Sequence, residues 1–405
     1  MAIVDVTFQD DFRRVNSGDT VNLWNDIDIV EPFPPIRGEN VTLNGRGHTL
    51  RGLIRPLFAD ETVVSPTVTN LNVCVEFTRN AIGGEDEWGG LFRAARGATL
   101  RGVSVMAKIR STHDLVGGIA GVLIASTLER CAARGIVSAY SNVGGIAGLI
   151  VDSKLIQCHN EAKVTAAGEI AGGIAGRADG ASVIEGCVNF RNASVTGAMI
   201  DTGGIVGLTS DPCVVRCCRN RADISGANAT GGIVGGTMGL LGGVCEITRC
   251  VNTGAVRGAY NAGGIVGMAT GGGLISNNDN GGDVSAVYDY AGGIAGEAHP
   301  IVYAIELKNN RVNRGWISAR NFAHRVVGYN TSGLVMTGNT ADPSVLITAT
   351  NAADSQTYDK QRVRDDDPQL GGWLLHGMTC ALRCPNGACW DNEDAPPTRV
   401  CLCCP

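Results

Sequence analysis

Tyrosine side chains at a repeated spacing are the first feature of this chain that could bind a ligand. Tyr140 and Tyr288 each stand four residues before a Gly-Gly pair, and Tyr260 and Tyr290 fall close to the same position. Aromatic rings gathered at one place can stack on the faces of sugars, and each hydroxyl adds a hydrogen bond. The spacing therefore predicts a ligand-binding column of these four residues, with ordinary surface tyrosines as the alternative.

Charged side chains offer a weaker case for catalysis. A polysaccharide lyase needs a general base, and a glycoside hydrolase needs two carboxylates about 5 to 9 Å apart. The candidates are Asp223, Asp279, Asp283, Glu297, His299, Arg311 and Arg314. They form no compact motif, and the His-Glu-x-x-His motif of zinc proteases is absent from the sequence. We therefore favour a non-catalytic protein without metal or cofactor, with a polysaccharide-active enzyme as the alternative.

The cysteines and asparagines of the chain body recur in register. One predicted column contains Cys131, Cys158, Cys187, Cys218 and Cys250, and a second contains Asn160, Asn189, Asn220, Asn252 and Asn280. The cysteines could form a metal or redox column, but small buried thiols that pack like short hydrophobes are the interpretation that we favour. We expect the asparagines to turn a corner in the left-handed conformation and to hydrogen-bond the neighbouring turn.

A separate group of cysteines lies within the last 26 residues: Cys380, Cys384, Cys389, Cys401, Cys403 and Cys404. Six cysteines can form three disulfides, and we favour this over a zinc site or free thiols. Disulfides would indicate an oxidising setting. The N-terminus has no basic start followed by an apolar segment, so no signal peptide is visible. An extracellular surface or a virion would reconcile these two observations.

A repeat positions the side chains of the chain body. The motif Gly-Gly-Ile-Ala/Val-Gly occurs seven times, with first glycines at Gly117, Gly144, Gly172, Gly203, Gly231, Gly263 and Gly292. Repeats of this period indicate a solenoid, in which each turn packs only on its neighbours. We predict three short strands per turn and an inward column of isoleucines: Ile119, Ile146, Ile174, Ile205, Ile233, Ile265 and Ile294. A second inward column contains Val137, Val164, Val195, Ile224, Val256 and Val284.

Four regions are predicted along the chain. They are a helical N-terminal cap (1–20) based on Phe8, Phe12 and Val15, the parallel β-helix (21–349), a polar linker (350–368) and a cysteine-rich module (369–405). The net charge of −6, with no basic block, argues against nucleic acid as a partner. No apolar run reaches the length of about 18 residues that a membrane-spanning helix requires.

The repeat resembles the GLUG motif of bacterial surface proteins, including the immunoglobulin A1 protease family, over roughly residues 88 to 320. Residues 42–52, Thr-Leu-Asn-Gly-Arg-Gly-His-Thr-Leu-Arg-Gly, are similar to the first coils of pectate-lyase-like β-helices. These resemblances imply a right-handed parallel β-helix that serves as an adhesive or spacer module. We accordingly expect a rigid structural or adhesive rod that binds a surface glycan or a protein and self-associates through exposed coil edges.

Overall fold

Short strands rich in valine, isoleucine and threonine alternate with corners that contain glycine, asparagine and serine. The computed structural model describes residues 1–350 except 31, 32, 34, 59–61, 80–87, 211, 240–243, 301, 302 and 332. Over this part the chain winds into a parallel β-solenoid of about ten turns. Each strand pairs in parallel with its counterpart one turn away, so equivalent residues of successive turns lie about 4.8 Å apart.

Four parallel sheets run along the solenoid, which we number in the order in which one turn visits them. Sheets 1, 2 and 4 are the three predicted from the sequence. Sheet 3 is additional, because the two or three residues that end at the first glycine of each Gly-Gly pair also pair with their counterparts. The Gly-Gly-Ile segment thus forms the corner between two sheets.

The strands of sheet 1 are Ile3–Val6, Thr20–Leu23, Thr42–Asn44, Thr67–Thr69, Thr99–Arg101, Thr127–Glu129, Lys154–Ile156, Val183–Glu185, Val214–Arg216, Cys245–Thr248, Gly273–Ser276, Ile305–Lys308 and Leu334–Thr337. Those of sheet 2 are Ile27–Asp28, Thr49–Leu53, Asn72–Arg79, Ser104–Ser111, Ala132–Ala139, His159–Ala166, Val188–Asn189, Ser194–Gly197, Arg219–Asn220, Asp223–Ser225, Val251–Asn252, Val256–Gly258, Asp279–Asn280, Val284–Ala286, Arg311–Val312, Trp316–Ala319, Thr340–Ala341 and Leu346–Ala349. From Val188 onward, each turn of sheet 2 is interrupted and contributes two strands.

The strands of sheet 3 are Val116–Gly117, Val143–Gly144, Ile170–Gly172, Asp201–Gly203, Ala229–Gly231, Asn261–Gly263, Tyr290–Gly292 and Phe322–His324. Those of sheet 4 are Thr62–Val64, Phe92–Arg96, Ala120–Ile124, Ala147–Val151, Ala175–Asp179, Val206–Ser210, Val234–Met238, Val266–Thr270, Ala295–His299 and Val327–Asn330.

The two predicted apolar columns fill the interior. All seven isoleucines are fully buried, and the backbone N–H of each donates to the carbonyl of the residue one turn on, as from Ile146 to Ile174 (2.9 Å). Leu91 extends this column at one end. The valine column is in register through Val137, Val164 and Val195 and continues to the last turn. Both columns are confirmed, which shows that each glycine-led block winds once around a common axis.

The glycine half and the asparagine half of the repeat meet across the core. A Cβ atom at Gly204 would collide with the carbonyl oxygen of Gly232 and with the side-chain amide of Asn220. A Cβ atom at Gly173 would collide in the same way with the side-chain amide of Asn189. In the pairs from Gly144-Gly145 to Gly263-Gly264, the second glycine is therefore required by close approach, because it leaves room for the buried amide of the next turn.

The N-terminal segment differs from the predicted helical cap. It begins with the strand Ile3–Val6, which pairs with Thr20–Leu23, and its helical part is one short 3₁₀ helix, Gln9–Arg14. Phe12 is buried and packs edge-on against Phe33 (5.5 Å between ring centroids), but Phe8 is exposed. Backbone pairing satisfies more polar groups than an isolated short helix would, so the coil starts almost at the first residue.

The predicted linker (from residue 351) and the cysteine-rich module with Cys380, Cys384, Cys389, Cys401, Cys403 and Cys404 lie outside the described residues. Within the described part, no helix has the length and apolar character needed to cross a bilayer.

Candidate functional site

Three residues of one surface column define the candidate site. Tyr260, Tyr288 and Arg320 occupy equivalent positions of three successive turns, at the corner where sheet 2 leads into sheet 3. The backbone bonds fix this register: the Tyr288 N–H donates to Ala259 (2.8 Å), and the Asn321 N–H donates to Tyr288 (3.1 Å). All three side chains are exposed and therefore point away from the filled core.

A small open pocket lies at this corner. The rings of Tyr260 and Tyr288 are 5.4 Å apart between centroids and inclined by 39°, and each tyrosine is nearly half exposed. Together with Asp289, Arg320 and Asn321 they line a pocket of about 320 Å³. We call this the corner pocket. The Asn321 side-chain N–H donates to Asp289 Oδ1 (3.0 Å), which ties two polar walls together.

The other two predicted tyrosines do not line the corner pocket. Tyr290 turns to the neighbouring face, where its ring stacks on Tyr329 (4.6 Å, 15°) and lies beside Phe322 (5.8 Å). Burial is the main cause that raises the pKa of Tyr290. Tyr140 is exposed, stands four turns before Tyr260 and is therefore roughly 19 Å away. The structure thus brings together Tyr260 and Tyr288, and sets Tyr140 and Tyr290 apart from them.

The outer faces of sheets 3 and 4 contact each other along a line that we call the 3/4 seam. Its contacts include the stacked pair Tyr290 and Tyr329. Another is the hydrogen bond from Asn261 Nδ2 to Glu297 Oε2 (2.9 Å). Burial is the largest cause that raises the pKa of Glu297, and the neighbouring His299 opposes it. The 3/4 seam therefore holds a half-buried carboxyl close to the corner pocket.

The remaining candidate catalytic residues lie on sheet 2 or at its strand ends, away from the 3/4 seam. Asp279 stands opposite Arg311 of the adjacent strand in the register of sheet 2. Burial raises the pKa of the Asp279 carboxyl. Asp283 accepts a bond from the Trp316 N–H (2.8 Å), and Asp223 accepts one from the Ala255 N–H (3.0 Å). Their oxygens thus stabilise the coil. In the described part of the chain, no cluster of three His, Cys, Asp or Glu side chains could hold a metal ion.

Asp201, which the sequence analysis missed, is the most perturbed carboxyl of the 3/4 seam. It is 4% exposed, and its Oδ1 accepts no hydrogen bond from the described residues. Oδ1 lies directly over Gly236, where a Cβ atom would collide with it. Burial, together with the charge of Glu169, raises the pKa of Asp201 to about 7. The available signal was the extra glycine Gly236 directly after the motif, at a position where the neighbouring turns have Leu208 and Met268.

The predicted cysteine column forms a stack of buried free thiols inside the corner between sheets 1 and 2. Cys131, Cys158, Cys187, Cys218 and Cys250 are all buried and unpaired by disulfides. Their Sγ–H groups donate to backbone carbonyls, as from Cys187 to Leu155 (3.4 Å). Burial raises the pKa of Cys131, Cys187 and Cys250. Neutral, enclosed thiols of this kind are poor nucleophiles and metal ligands.

The asparagine column is a continuous chain of amide hydrogen bonds in the core. The Nδ2 of each donates to the Oδ1 of the next, from Asn160 through Asn189, Asn220 and Asn252 to Asn280, at 2.8–3.0 Å. The expected left-handed conformation is not at these residues. It falls three positions earlier, at Gln157, Cys217 and Arg249, because the chain turns there to enter sheet 2.

Comparisons with known proteins support no assignment beyond the fold. No family model matches the chain, and no curated protein matches it. Similar solved structures include a candidate immunoglobulin A1 protease from Bacteroides ovatus, at 19% identity over 61% of this chain and 74% of that one (TM-score 0.37). Another is the A-module of the Azotobacter vinelandii mannuronan C-5 epimerase AlgE6, at 13% identity over 80% and 91% (TM-score 0.38). The chain is a parallel β-solenoid protein, and neither likeness bears on its function.

Proposed function

We propose that this protein is a rigid structural or adhesive β-solenoid that binds a saccharide in the corner pocket. The observation that supports this proposal most strongly is the pair of half-exposed rings of Tyr260 and Tyr288. Their centroids are 5.4 Å apart, and polar side chains lie beside them. Sugars present an apolar face ringed by hydroxyls, so aromatic rings next to hydrogen-bonding groups suit them. The proposal includes display on an extracellular surface or a particle.

Rigidity is part of this proposal and follows from the core. The amide chain from Asn160 to Asn280 and the isoleucine column link successive turns by side-chain and backbone contacts alike. Closely packed, fully bonded cores deform little. A ligand at the corner pocket would therefore meet rings that are already in place, which lowers the entropy lost on binding.

Removal of both rings should abolish most of the saccharide affinity. After a glycan array has identified a ligand, we expect the Tyr260→Ala/Tyr288→Ala variant to bind it about 30-fold more weakly in calorimetric titration, since two stacking contacts worth about 1 kcal/mol each are lost. Tyr140→Ala is the matched control, because this tyrosine stands four residues before a Gly-Gly pair, as Tyr288 does, and lies four turns before Tyr260. Equal losses in both variants, or an array without any bound glycan, would refute the proposal.

A polysaccharide-active enzyme on the same scaffold is the second candidate function. The observation that favours it is Glu297, a half-buried carboxyl with a raised pKa that is held by Asn261 next to the aromatic surface. Such a group can act as a general acid or base. Release of reducing ends or unsaturated products that is lost in Glu297→Gln would support catalysis, and binding without turnover would exclude this candidate.

A further inference from the structure

The charge of Arg320 points to the kind of saccharide that the corner pocket accepts, an inference that rests on the proposed function. Arg320 is exposed, lines the pocket and forms no ion pair with the described residues. The carboxylate beside it, Asp289, is engaged by Asn321. The pocket therefore contains an aromatic surface, one carboxylate and one guanidinium that no acidic side chain of the described residues holds in an ion pair.

Several other arginines of the solenoid have an acidic partner. Arg134 pairs with Glu161 one turn on, Arg216 pairs with Glu185 one turn back, and Arg257 pairs with Asp223. In each case an acidic residue of a neighbouring turn stands within reach. Arg320 has Tyr288, not an acid, at the equivalent position of the preceding turn. The column thus places an aromatic ring at the preceding position, and the nearby carboxylate of Asp289 belongs to the next residue of that turn.

We infer that the corner pocket binds an acidic saccharide. The sugar ring stacks on Tyr260 and Tyr288, and its carboxylate or sulfate pairs with the guanidinium of Arg320, whose planar fork suits both anions. Asp289 and Asn321 accept hydrogen bonds from sugar hydroxyls. Asp289 would repel an anion placed on its own side, so the acidic group can be accommodated only at the Arg320 end of the pocket.

The test uses matched ligands that differ only in charge. Polygalacturonate is compared with its methyl-esterified form, and a sulfated galactan with its desulfated form, against the wild type, Arg320→Gln and the control Arg191→Gln. Arg191 is exposed and lies on a different turn. The two ligand series show whether a carboxylate or a sulfate is the recognised group.

We expect the wild type to bind one of the acidic forms at least tenfold more tightly than its neutral partner. Arg320→Gln should lose this preference, Arg191→Gln should keep it, and raising the salt from 50 to 500 mM should weaken only the acidic form. Equal affinity for acidic and neutral forms, or a preference that survives in Arg320→Gln, would overturn this inference but leave saccharide binding intact. Absence of binding to every ligand would instead overturn the proposed function.

Discussion

Asn220→Ala should lower the free energy of unfolding by about 4 kcal/mol, because a buried donor or acceptor without a partner costs about 1 to 3 kcal/mol. The substitution removes the acceptor of Asn189 Nδ2 and the donor to Asn252 Oδ1. It also breaks the bonds that the Asn220 amide makes to the backbone of Ala222. All these groups are buried, so water cannot replace the lost bonds. Urea titration followed by circular dichroism measures the change.

Asn192→Ala is the matched control for this substitution. Asn192 is exposed, and its side chain makes one bond, to Glu161 (3.3 Å). Its replacement should cost less than about 0.5 kcal/mol. The Asn position itself accepts an apolar side chain at either end of the column, since Ala133 and Val312 occupy it just before and just after the column. A loss below 1 kcal/mol in Asn220→Ala would contradict the assigned role of the amide chain.

Asp201→Asn should make the protein more stable at alkaline pH. The pKa of Asp201 is about 7 in the folded chain, against an ordinary value of 3.8. Between pH 3.8 and about pH 7, the folded state therefore keeps a proton on Asp201 that the unfolded state has already released. The stability linked to this proton is fully present below pH 4 and is lost as the pH rises through 7. The pKa difference of about 3 corresponds to about 4 kcal/mol.

The measurement compares the two proteins in urea at pH 4 and at pH 8.5. We expect the Asp201→Asn substitution to leave stability at pH 4 within about 1 kcal/mol of the wild type and to raise it by up to about 4 kcal/mol at pH 8.5. Glu169→Gln should give a smaller change of the same sign, since Glu169 is the second cause of the raised pKa. Parallel pH profiles for wild type and Asp201→Asn would show that the pKa of this carboxyl is not raised in the folded chain.

The repeat itself was predictable because burial and period act together. Isoleucines such as Ile174 and valines such as Val164 recur once per turn and must face a shared core. Aligning the repeats by their Gly-Gly pairs therefore predicted both columns. The amide bond from Asn160 to Asn189 also follows from stacking like residues above like. The fourth sheet was harder to foresee, since strands of two or three residues such as Val143–Gly144 carry too few side chains to show a period.

The candidate site was only half predictable from the sequence. Tyr260 and Tyr288 have a visible spacing to their Gly-Gly pairs, but the equivalent Arg320 precedes His324, which replaces the glycine that would mark the turn. The 3/4 seam joins residues that lie more than a turn apart, such as Asp201 and Gly236. No local pattern reports such a contact, because it depends on how sharply the chain folds at the glycine corner.

A crystal structure of the protein with its tightest-binding acidic oligosaccharide tests the central claim most directly. The account predicts a sugar ring over Tyr260 and Tyr288, with its carboxylate or sulfate against the Arg320 guanidinium. An oligosaccharide bound on another face of the solenoid, without contact to either tyrosine, would contradict it.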